Sequence, residues 1–133
     1  MKKRYWIVGA SAVVLLVAGV IVYNKVKISE DEYKSITMDE AKEIFAEAGD
    51  YIILDVRRAD EYAEGHIPGA VNLANETIGA TQPAELPEKD KVIYVYCRSG
   101  RRSKEAAAKL AALGYRNIIE CGGILDWTGD IEK

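Results

Sequence analysis

The residues best suited to covalent chemistry lie in one short stretch, Cys97 to Ser103, which reads Cys-Arg-Ser-Gly-Arg-Arg-Ser. The apolar, β-branched run at residues 92–96 predicts a buried strand before it, and residues 104–113 predict a helix that ends at Gly114. A cysteine between a strand and a helix faces the unpaired N–H groups of the helix start and the nearby arginines, and both stabilise a thiolate. The stretch therefore predicts a cradle for a nucleophilic cysteine, and the chain is predicted to be an enzyme.

The distribution of charge favours a small anionic ligand. The 133-residue chain has a formal charge of −3, but residues 1–28 hold five basic and no acidic side chains, which leaves 13 basic and 21 acidic side chains in residues 29–133. An acidic domain that gathers positive charge in one loop argues against broad nucleic-acid binding. Four of the 13 basic residues lie in or next to the Cys97 loop: Arg98, Arg101, Arg102 and Lys104.

The cysteine and histidine content argues against a metal site. The chain has two cysteines, Cys97 and Cys121, and one histidine, with no Cys-x-x-Cys pair. Two cysteines are too few for a disulfide scaffold, and their spacing is not that of a zinc site. We therefore expect no metal and no cofactor.

The N-terminal region, residues 1–28, predicts a basic flank followed by a membrane segment. Residues 6–23 are uncharged and mostly apolar, and a helix of this length spans about 27 Å, close to the thickness of a bilayer core. We expect an uncleaved, single-pass anchor with the domain outside the cytoplasm, because the basic flank is slightly stronger at the N-terminus. A cleaved signal peptide, which would release the domain, is the alternative.

Residues 29–133 predict one α/β domain with a core at about residues 36–127. Thr37 and Glu40 form a capping box that starts a helix running to about Ala48. The continuously apolar strand at residues 51–54 suggests a sheet covered on both faces. Strands that alternate with helices then predict a mostly parallel central sheet flanked by helices on both faces. The other expected elements are a short helix at 59–64, strands at 70–73 and 117–120, and a final short helix at 124–127.

Three segments resemble motifs of the rhodanese family, in the family's order and spacing. The first begins Asp55-Val56-Arg57 and continues through Glu61-Tyr62 to Glu64-Gly65-His66-Ile67-Pro68-Gly69-Ala70-Val71-Asn72. The second, residues 96–103, resembles the active-site loop, and the third, residues 120–127, resembles the Gly-Gly…Trp closing segment. Together they span nearly all of the predicted core, and they imply a rhodanese-like fold.

The resemblance implies a sulfurtransferase. Cys97 would take the outer sulfur of thiosulfate or a similar donor as a persulfide and pass it to a thiol or cyanide acceptor. The sulfur is anionic before and after this step, and backbone N–H groups of the loop would hold that charge. The loop that would bind the donor and the persulfide comprises Arg98, Ser99, Gly100, Arg101, Arg102 and Ser103.

The family pattern also implies roles within this loop. Arg102 stands at the family's fixed arginine position and would brace the loop, whereas Arg98 and Arg101 would attract a dianionic donor. The hydroxyls of Ser99 and Ser103 can donate to the sulfur. For Ser103, a simple helix-capping role is equally open.

Two other functions stay open. A rhodanese-like module can carry persulfide or bind a partner without catalysis, although such modules typically lack the cysteine that is present here as Cys97. Cysteine phosphatase or arsenate reductase activity is less favoured, because phosphatase loops have one residue more than the four between Cys97 and Arg102. The smaller ring suits a single sulfur atom.

Four residues outside the loop receive expected roles. The resemblance suggests that Asp55 and Arg57 support the active loop, a surface ion pair being the alternative. His66 is expected to be structural rather than a general base. Cys121 is a candidate resolving thiol that would attack the Cys97 persulfide and form a disulfide, and a buried unreactive cysteine is the alternative.

Overall fold

A five-stranded parallel sheet forms the centre of the domain in the computed structural model, which describes residues 32–133. The strand order is β1-β5-β4-β2-β3, and every neighbouring pair runs parallel. The strands are β1 (Lys34–Ser35), β2 (Tyr51–Asp55), β3 (Val71–Asn72), β4 (Val92–Cys97) and β5 (Asn117–Gly123). The predicted α/β class with a mostly parallel sheet is confirmed.

Three helices connect these strands: α1 (Met38–Phe45), α2 (Ala59–Glu64) and α3 (Arg101–Ala112), with 3₁₀ turns at Asn75–Thr77 and Ile124–Asp126. The capping box at the start of α1 is confirmed, since Thr37 Oγ1 accepts from the Glu40 N–H at 3.1 Å and Glu40 Oε1 accepts from the Thr37 N–H at 3.3 Å. The predicted start of α3 at residue 104 is three residues too late. The second half of the cysteine loop therefore belongs to the first turn of α3.

Two separate cores lie on the two faces of the sheet, because successive side chains of a strand point to opposite faces. In β4, Val95 and Cys97 pack in a core that contains Ala106, Ala107 and Leu110 of α3. Tyr94 and Tyr96 pack in the other core, which contains Met38 and Ala41 of α1 and also Cys121. Helices therefore cover both faces, as predicted.

The final short helix predicted at residues 124–127 is a 3₁₀ turn that buries only some of the neighbouring apolar side chains. Trp127 packs against the second core, whereas Leu125 is 63% exposed. The 3₁₀ turn at Ile124–Asp126 is too short to bury both side chains on one face.

In residues 32–133, which form one compact unit, no helix is both long and apolar enough to cross a membrane. The predicted membrane segment at residues 6–23 lies outside the described residues. The membrane anchor, its orientation and the boundary at residue 29 stay predictions.

Candidate active site

Cys97 ends β4 at the carboxyl edge of the sheet, the edge where α/β proteins assemble their sites. It pairs with Gly123, the last residue of β5, after an irregularity in the register that follows Val95. The chain then passes through Arg98 and Ser99 into α3. The thiol is thus placed by the central strand of the sheet and faces the start of a helix.

The Cys97 sulfur contacts a backbone N–H group and a serine hydroxyl. Gly100 N–H donates to Sγ at 3.0 Å, and Ser103 Oγ lies 3.5 Å from Sγ. Gly100 has φ +113°, a conformation open to glycine, and it begins α3 without a side-chain cap. The open helix end and the short N–H contact together stabilise negative charge on the sulfur.

The end of β5 lies directly behind the loop. A Cβ atom at Gly123 would be 2.0 Å from the carbonyl oxygen of Arg98, so only glycine allows this approach. Leu125 N–H donates to the same carbonyl at 3.2 Å. The Gly-Gly segment therefore fixes the backbone that follows the cysteine.

Arg102 is tied to α2 by a two-bond ion pair with Glu61. Its Nη1 and Nη2 atoms donate to the two carboxylate oxygens at 2.6 and 3.0 Å, and both side chains are largely buried. Hydrogen bonding to Arg102 lowers the pKa of Glu61 to about 2. The pKa of Arg102 is raised, mainly by Glu61 and further by the Cys97 charge. Arg102 was predicted to lie in the loop, but no role was predicted for Glu61, because their contact joins residues 41 positions apart in the chain.

Arg98, Ser99 and Arg101 are the solvent-exposed residues of the loop. Arg101 contacts the Glu105 carboxylate one helical turn along α3 at 3.7 Å. The charge of these arginines is therefore next to the loop but open to solvent. Attraction of an anionic donor by Arg98 and Arg101 stays a prediction.

Asp55 and Arg57 form a buried ion pair rather than a surface one. Arg57 Nη2 and Nε donate to the Asp55 carboxylate at 2.7 and 3.0 Å, and Nη2 also donates to Gly65 O at 2.7 Å. Tyr96, the residue before Cys97, donates its hydroxyl to Asp55 at 2.8 Å. Burial raises the pKa of Tyr96, and the Asp55 charge adds to this. The pair thus connects to the active loop through Tyr96.

Ser103 and Glu120 form a second buried polar contact, beside the sulfur. Ser103 Oγ donates to Glu120 Oε1 at 2.6 Å, and Glu120 is 2% exposed. Gly100 is the N-cap of α3 and Ser103 is the third helical residue, so the capping alternative for Ser103 was wrong. No role was predicted for Glu120 either, although an acidic residue after Ile118-Ile119 in an otherwise uncharged strand was an available signal.

Cys121 does not lie where a resolving thiol is needed. It packs in the core opposite to the one that holds Cys97, and both cysteines are free. Burial raises the pKa of the Cys121 thiol to about 12. Of the two alternatives for Cys121, the structure therefore favours the buried, unreactive cysteine, because the neighbouring strands place the two thiols on opposite faces of the sheet.

His66 is part of a structural turn. Its ring stacks on Tyr62 at 3.7 Å, and Nδ1 is 2.9 Å from the Tyr62 carbonyl oxygen, which makes Nδ1 the donor. Its backbone pairs with Glu132. These contacts agree with a structural histidine rather than a base for Cys97.

A cleft of about 690 Å³ adjoins the loop. Ser99, Gly100 and Lys104 line it from the loop and α3, and Glu120 and Gly122 line it from β5. Within residues 32–133, no cluster of three or more His, Cys, Asp or Glu side chains is placed to hold a metal ion. The site offers backbone N–H groups, hydroxyls and a thiol instead.

Comparison with known proteins agrees with this geometry. The family model described as "Rhodanese-like domain" matches residues 37–130. The chain is 42% identical over 81 residues to the "Putative sulfur carrier protein YrkF" of Bacillus subtilis; the match covers 60% of this chain and only 43% of YrkF. It is 32% identical over 73 residues to the "Thiosulfate sulfurtransferase PspE" of Escherichia coli, covering 55% of this chain and 70% of PspE.

A solved structure has the same fold. The rhodanese-like domain protein from Staphylococcus aureus superimposes with a TM-score of 0.63 and is 36% identical; the alignment covers 74% of this chain and 96% of that one. The match to the family model, at residues 37–130, includes strands β2 to β5 and the cysteine loop.

Proposed function

The chain belongs to the rhodanese-like domain family, and from this we propose that it is a sulfurtransferase that carries sulfane sulfur on Cys97 as a persulfide. The observation that carries the proposal is the 3.0 Å hydrogen bond from Gly100 N–H to Cys97 Sγ at the open start of α3. A fixed N–H donor stabilises the thiolate that attacks and the persulfide anion that results. Similarity to PspE, whose name states thiosulfate sulfurtransferase, supports thiosulfate as a donor.

The first step conserves charge without any cofactor. The Cys97 thiolate attacks the outer sulfur of thiosulfate, and an S–S bond forms between them. The bond from that sulfur to the sulfonate group breaks, and its electron pair leaves with sulfite. Cys97 is 1% exposed, so a group that reaches it must be small, which favours the terminal sulfur of a slender anion.

The second step returns the enzyme to its starting state. An acceptor thiolate or cyanide attacks the outer sulfur of the persulfide, and the S–S electron pair returns to Cys97. The Gly100 N–H and the Ser103 hydroxyl are then next to the leaving thiolate. Arg102, held by Glu61, keeps the first turn of α3 in position throughout.

Intact mass spectrometry after incubation with thiosulfate tests the proposal. We expect the protein to gain the mass of one sulfur atom, which dithiothreitol removes. C97S should gain nothing, and C121S should gain the same mass as the wild type. If no tested donor adds sulfur to Cys97, the proposal is wrong.

A persulfide carrier without turnover is the second candidate, and similarity to the putative sulfur carrier YrkF favours it. Turnover of thiosulfate and cyanide to thiocyanate separates the two functions. Steady turnover that depends on Cys97 supports the enzyme. A stable persulfide with no turnover supports the carrier.

We also propose that residues 6–23 anchor the domain to the outer face of the cytoplasmic membrane. The apolar length and the stronger N-terminal basic flank support this arrangement. Protease added to intact protoplasts should then cleave the domain. Protection of the domain would contradict the orientation, and its recovery in the soluble fraction would contradict the anchor.

A further inference from the structure

Glu120 is a buried carboxylate in an unusual setting. Its side chain accepts hydrogen bonds from Ser103 Oγ (2.6 Å), Gly122 N–H (2.7 Å) and Ser35 Oγ (3.3 Å). Within the described part of the chain, none of the ion pairs involves Glu120. Burying a charge without a counter-ion is costly. The hydrogen bonds of this carboxylate therefore indicate its role.

The hydroxyl of Ser103 links this carboxylate to the nucleophile. A serine hydroxyl has one proton to donate and two lone pairs to accept with. The Ser103 hydroxyl also lies 2.9 Å from Gly100 O and 3.2 Å from Gly122 O, but its 2.6 Å contact to Glu120 is the shortest. That contact has the length of a charge-assisted O–H···O⁻ bond, so we assign the Ser103 proton to it. Ser103 can then offer Cys97 only a lone pair, and the 3.5 Å contact becomes a thiol S–H donating to Oγ. An ionised Glu120 thus favours the thiol form of Cys97.

We propose that Glu120 stores the Cys97 proton during sulfur transfer, as a positioning residue that acts through Ser103; this deepens, and rests on, the proposed function. The thiol proton passes to Ser103 Oγ while the Ser103 proton passes to Glu120 Oε1. One S–H and one O–H bond break and two O–H bonds form, with no change in total charge. Ser103 then donates to the thiolate, and the neutral Glu120 donates to Ser103. The thiolate gains a hydrogen bond at the moment it must attack.

The same hydrogen-bonded groups, Cys97, Ser103 and Glu120, also act in the last step of the reaction. When the acceptor removes the outer sulfur, the Cys97 thiolate is restored. Glu120 can return the stored proton through Ser103, which resets the thiol. No oxidant, reductant or external base is required.

Other charged and titratable groups lie near Cys97 and Glu120 but do not take part in the hydrogen bonds that join them through Ser103. Arg102 of α3 is bound by Glu61, and Tyr96 of β4 donates to Asp55. The groups that line the cleft beside Glu120 are Asp39 of α1, Lys104 of α3, Cys121 of β5 and Asp126 of the final 3₁₀ turn. Within the described residues, the hydrogen bonds of Ser103 lead to no other carboxylate than Glu120.

The substitution E120Q isolates proton storage from packing. Glutamine keeps the shape, and its Oε1 can accept from Ser103 and Gly122 as the carboxylate does. Its amide can donate to Ser35 Oγ, so every contact is satisfied. An amide does not take up the proton. A change in the behaviour of Cys97 in E120Q therefore results from the loss of proton uptake at position 120 and not from lost packing or hydrogen bonds.

The ultraviolet absorbance of the thiolate, measured against pH as the difference from C97S, tests the proposal. Two groups that share a proton titrate in two steps that belong to the pair. We expect the Cys97 thiolate to appear in two steps in the wild type and in one step in E120Q and in S103A. E120D, which restores an ionisable carboxyl, should restore two steps. E76Q, which removes an exposed carboxylate near Arg102, should keep both.

The readout needs no sulfur donor, so it is independent of whether thiosulfate loads the protein. One step in the wild type would overturn the proposal. Two steps that persist in E120Q and S103A would assign the second proton to another group and would also overturn it. If E120Q does not fold, the comparison of S103A with the wild type decides the same question.

Discussion

The Arg102 guanidinium and the Glu61 carboxylate join the first turn of α3 to α2 through two parallel hydrogen bonds of 2.6 and 3.0 Å. The arginine therefore does not extend from the loop as a free donor. Its two N–H groups match the two oxygens of the carboxylate, which fixes the orientation of the pair and also stabilises it. Because α3 starts only four residues after Cys97, a shift of its first turn would move the N–H group that contacts the sulfur.

Removal of the Glu61 charge should therefore weaken both the fold and the site. We expect E61Q to lower the free energy of unfolding by about 1.5–3 kcal/mol, the range for hydrogen bonds to charged groups, and to slow sulfur loading of Cys97. Urea denaturation and the rate of mass gain with thiosulfate measure the two effects. E64Q changes an exposed carboxylate of the same helix and is the control. Equal stability of E61Q and E64Q would contradict the bracing role.

The same pair predicts a pH dependence of stability. Arg102 holds the pKa of Glu61 at about 2 in the folded protein, below its ordinary value of 4.5. When folding lowers the pKa of an acid, its charge stabilises the fold fully at a pH above the pKa of the unfolded state. This stabilisation is lost as the pH falls toward the pKa of the folded state. The difference in unfolding free energy between wild type and E61Q should therefore shrink between pH 4.5 and 2. A difference that stays constant across this range would show that the Glu61 charge does not contribute.

Arg57 and Arg58 are neighbours in sequence, but their substitution should affect the free energy of unfolding to very different extents. Arg57 is buried against Asp55, which is fully buried, whereas Arg58 is exposed. Removing one partner of a buried ion pair leaves a charge without compensation, so R57A should lower the free energy of unfolding by about 3–5 kcal/mol. R58A should change it little, because solvent screens its ion pairs. Urea denaturation of both variants tests this, and a similar small effect in each would refute the structural role of Arg57.

The sequence predicted most of the fold because the local signals agree with the final structure. The apolar strand before Cys97, the capping box of Thr37 and Glu40, and the glycine after α2 were each readable from neighbouring residues. The active loop could also be found, because its chemistry is contiguous in sequence.

What the sequence did not predict depends on contacts between distant positions. Glu61 and Glu120 acquire partners only when α2 and β5 meet α3. For Cys121, the face of β5 on which the thiol lies decides its role, and a shift of one residue in a strand exchanges the faces. Strand order and register set that face, and neither can be predicted from the residues around Cys121.

Cys121 should be chemically silent in the folded protein. Its thiol is buried on the face opposite to Cys97, and burial raises its pKa to about 12, so almost no thiolate exists at pH 8. We expect a thiol reagent to label native C97S at no site at this pH, and to label it once after unfolding. The thiosulfate-loaded wild type should keep its persulfide without forming an intramolecular disulfide. Loss of one sulfur and two hydrogens as hydrogen sulfide, which leaves a disulfide two hydrogens lighter than the unloaded protein and is absent in C121S, would support the resolving role.

The close approach of β5 to the loop leads to the last prediction, which concerns Gly123. A methyl group added there would lie 2.0 Å from Arg98 O and 2.6 Å from Ser99 N, and these backbone atoms cannot rotate away as a side chain can. Overpacking of this kind costs about 1–3 kcal/mol or more, so G123A should lower the free energy of unfolding by at least that amount.

The displacement caused by G123A should fall on the residues between Cys97 and α3, so sulfur loading should decrease more than stability alone explains. Gly79 has open space around its Cα, so G79A is the matched control and should load like the wild type. Urea denaturation measures the stability, and thiosulfate-dependent mass gain is measured without denaturant, where both variants are folded, so the two effects are separated. Wild-type loading by a folded G123A would mean that the sulfur cradle does not depend on the backbone of β5.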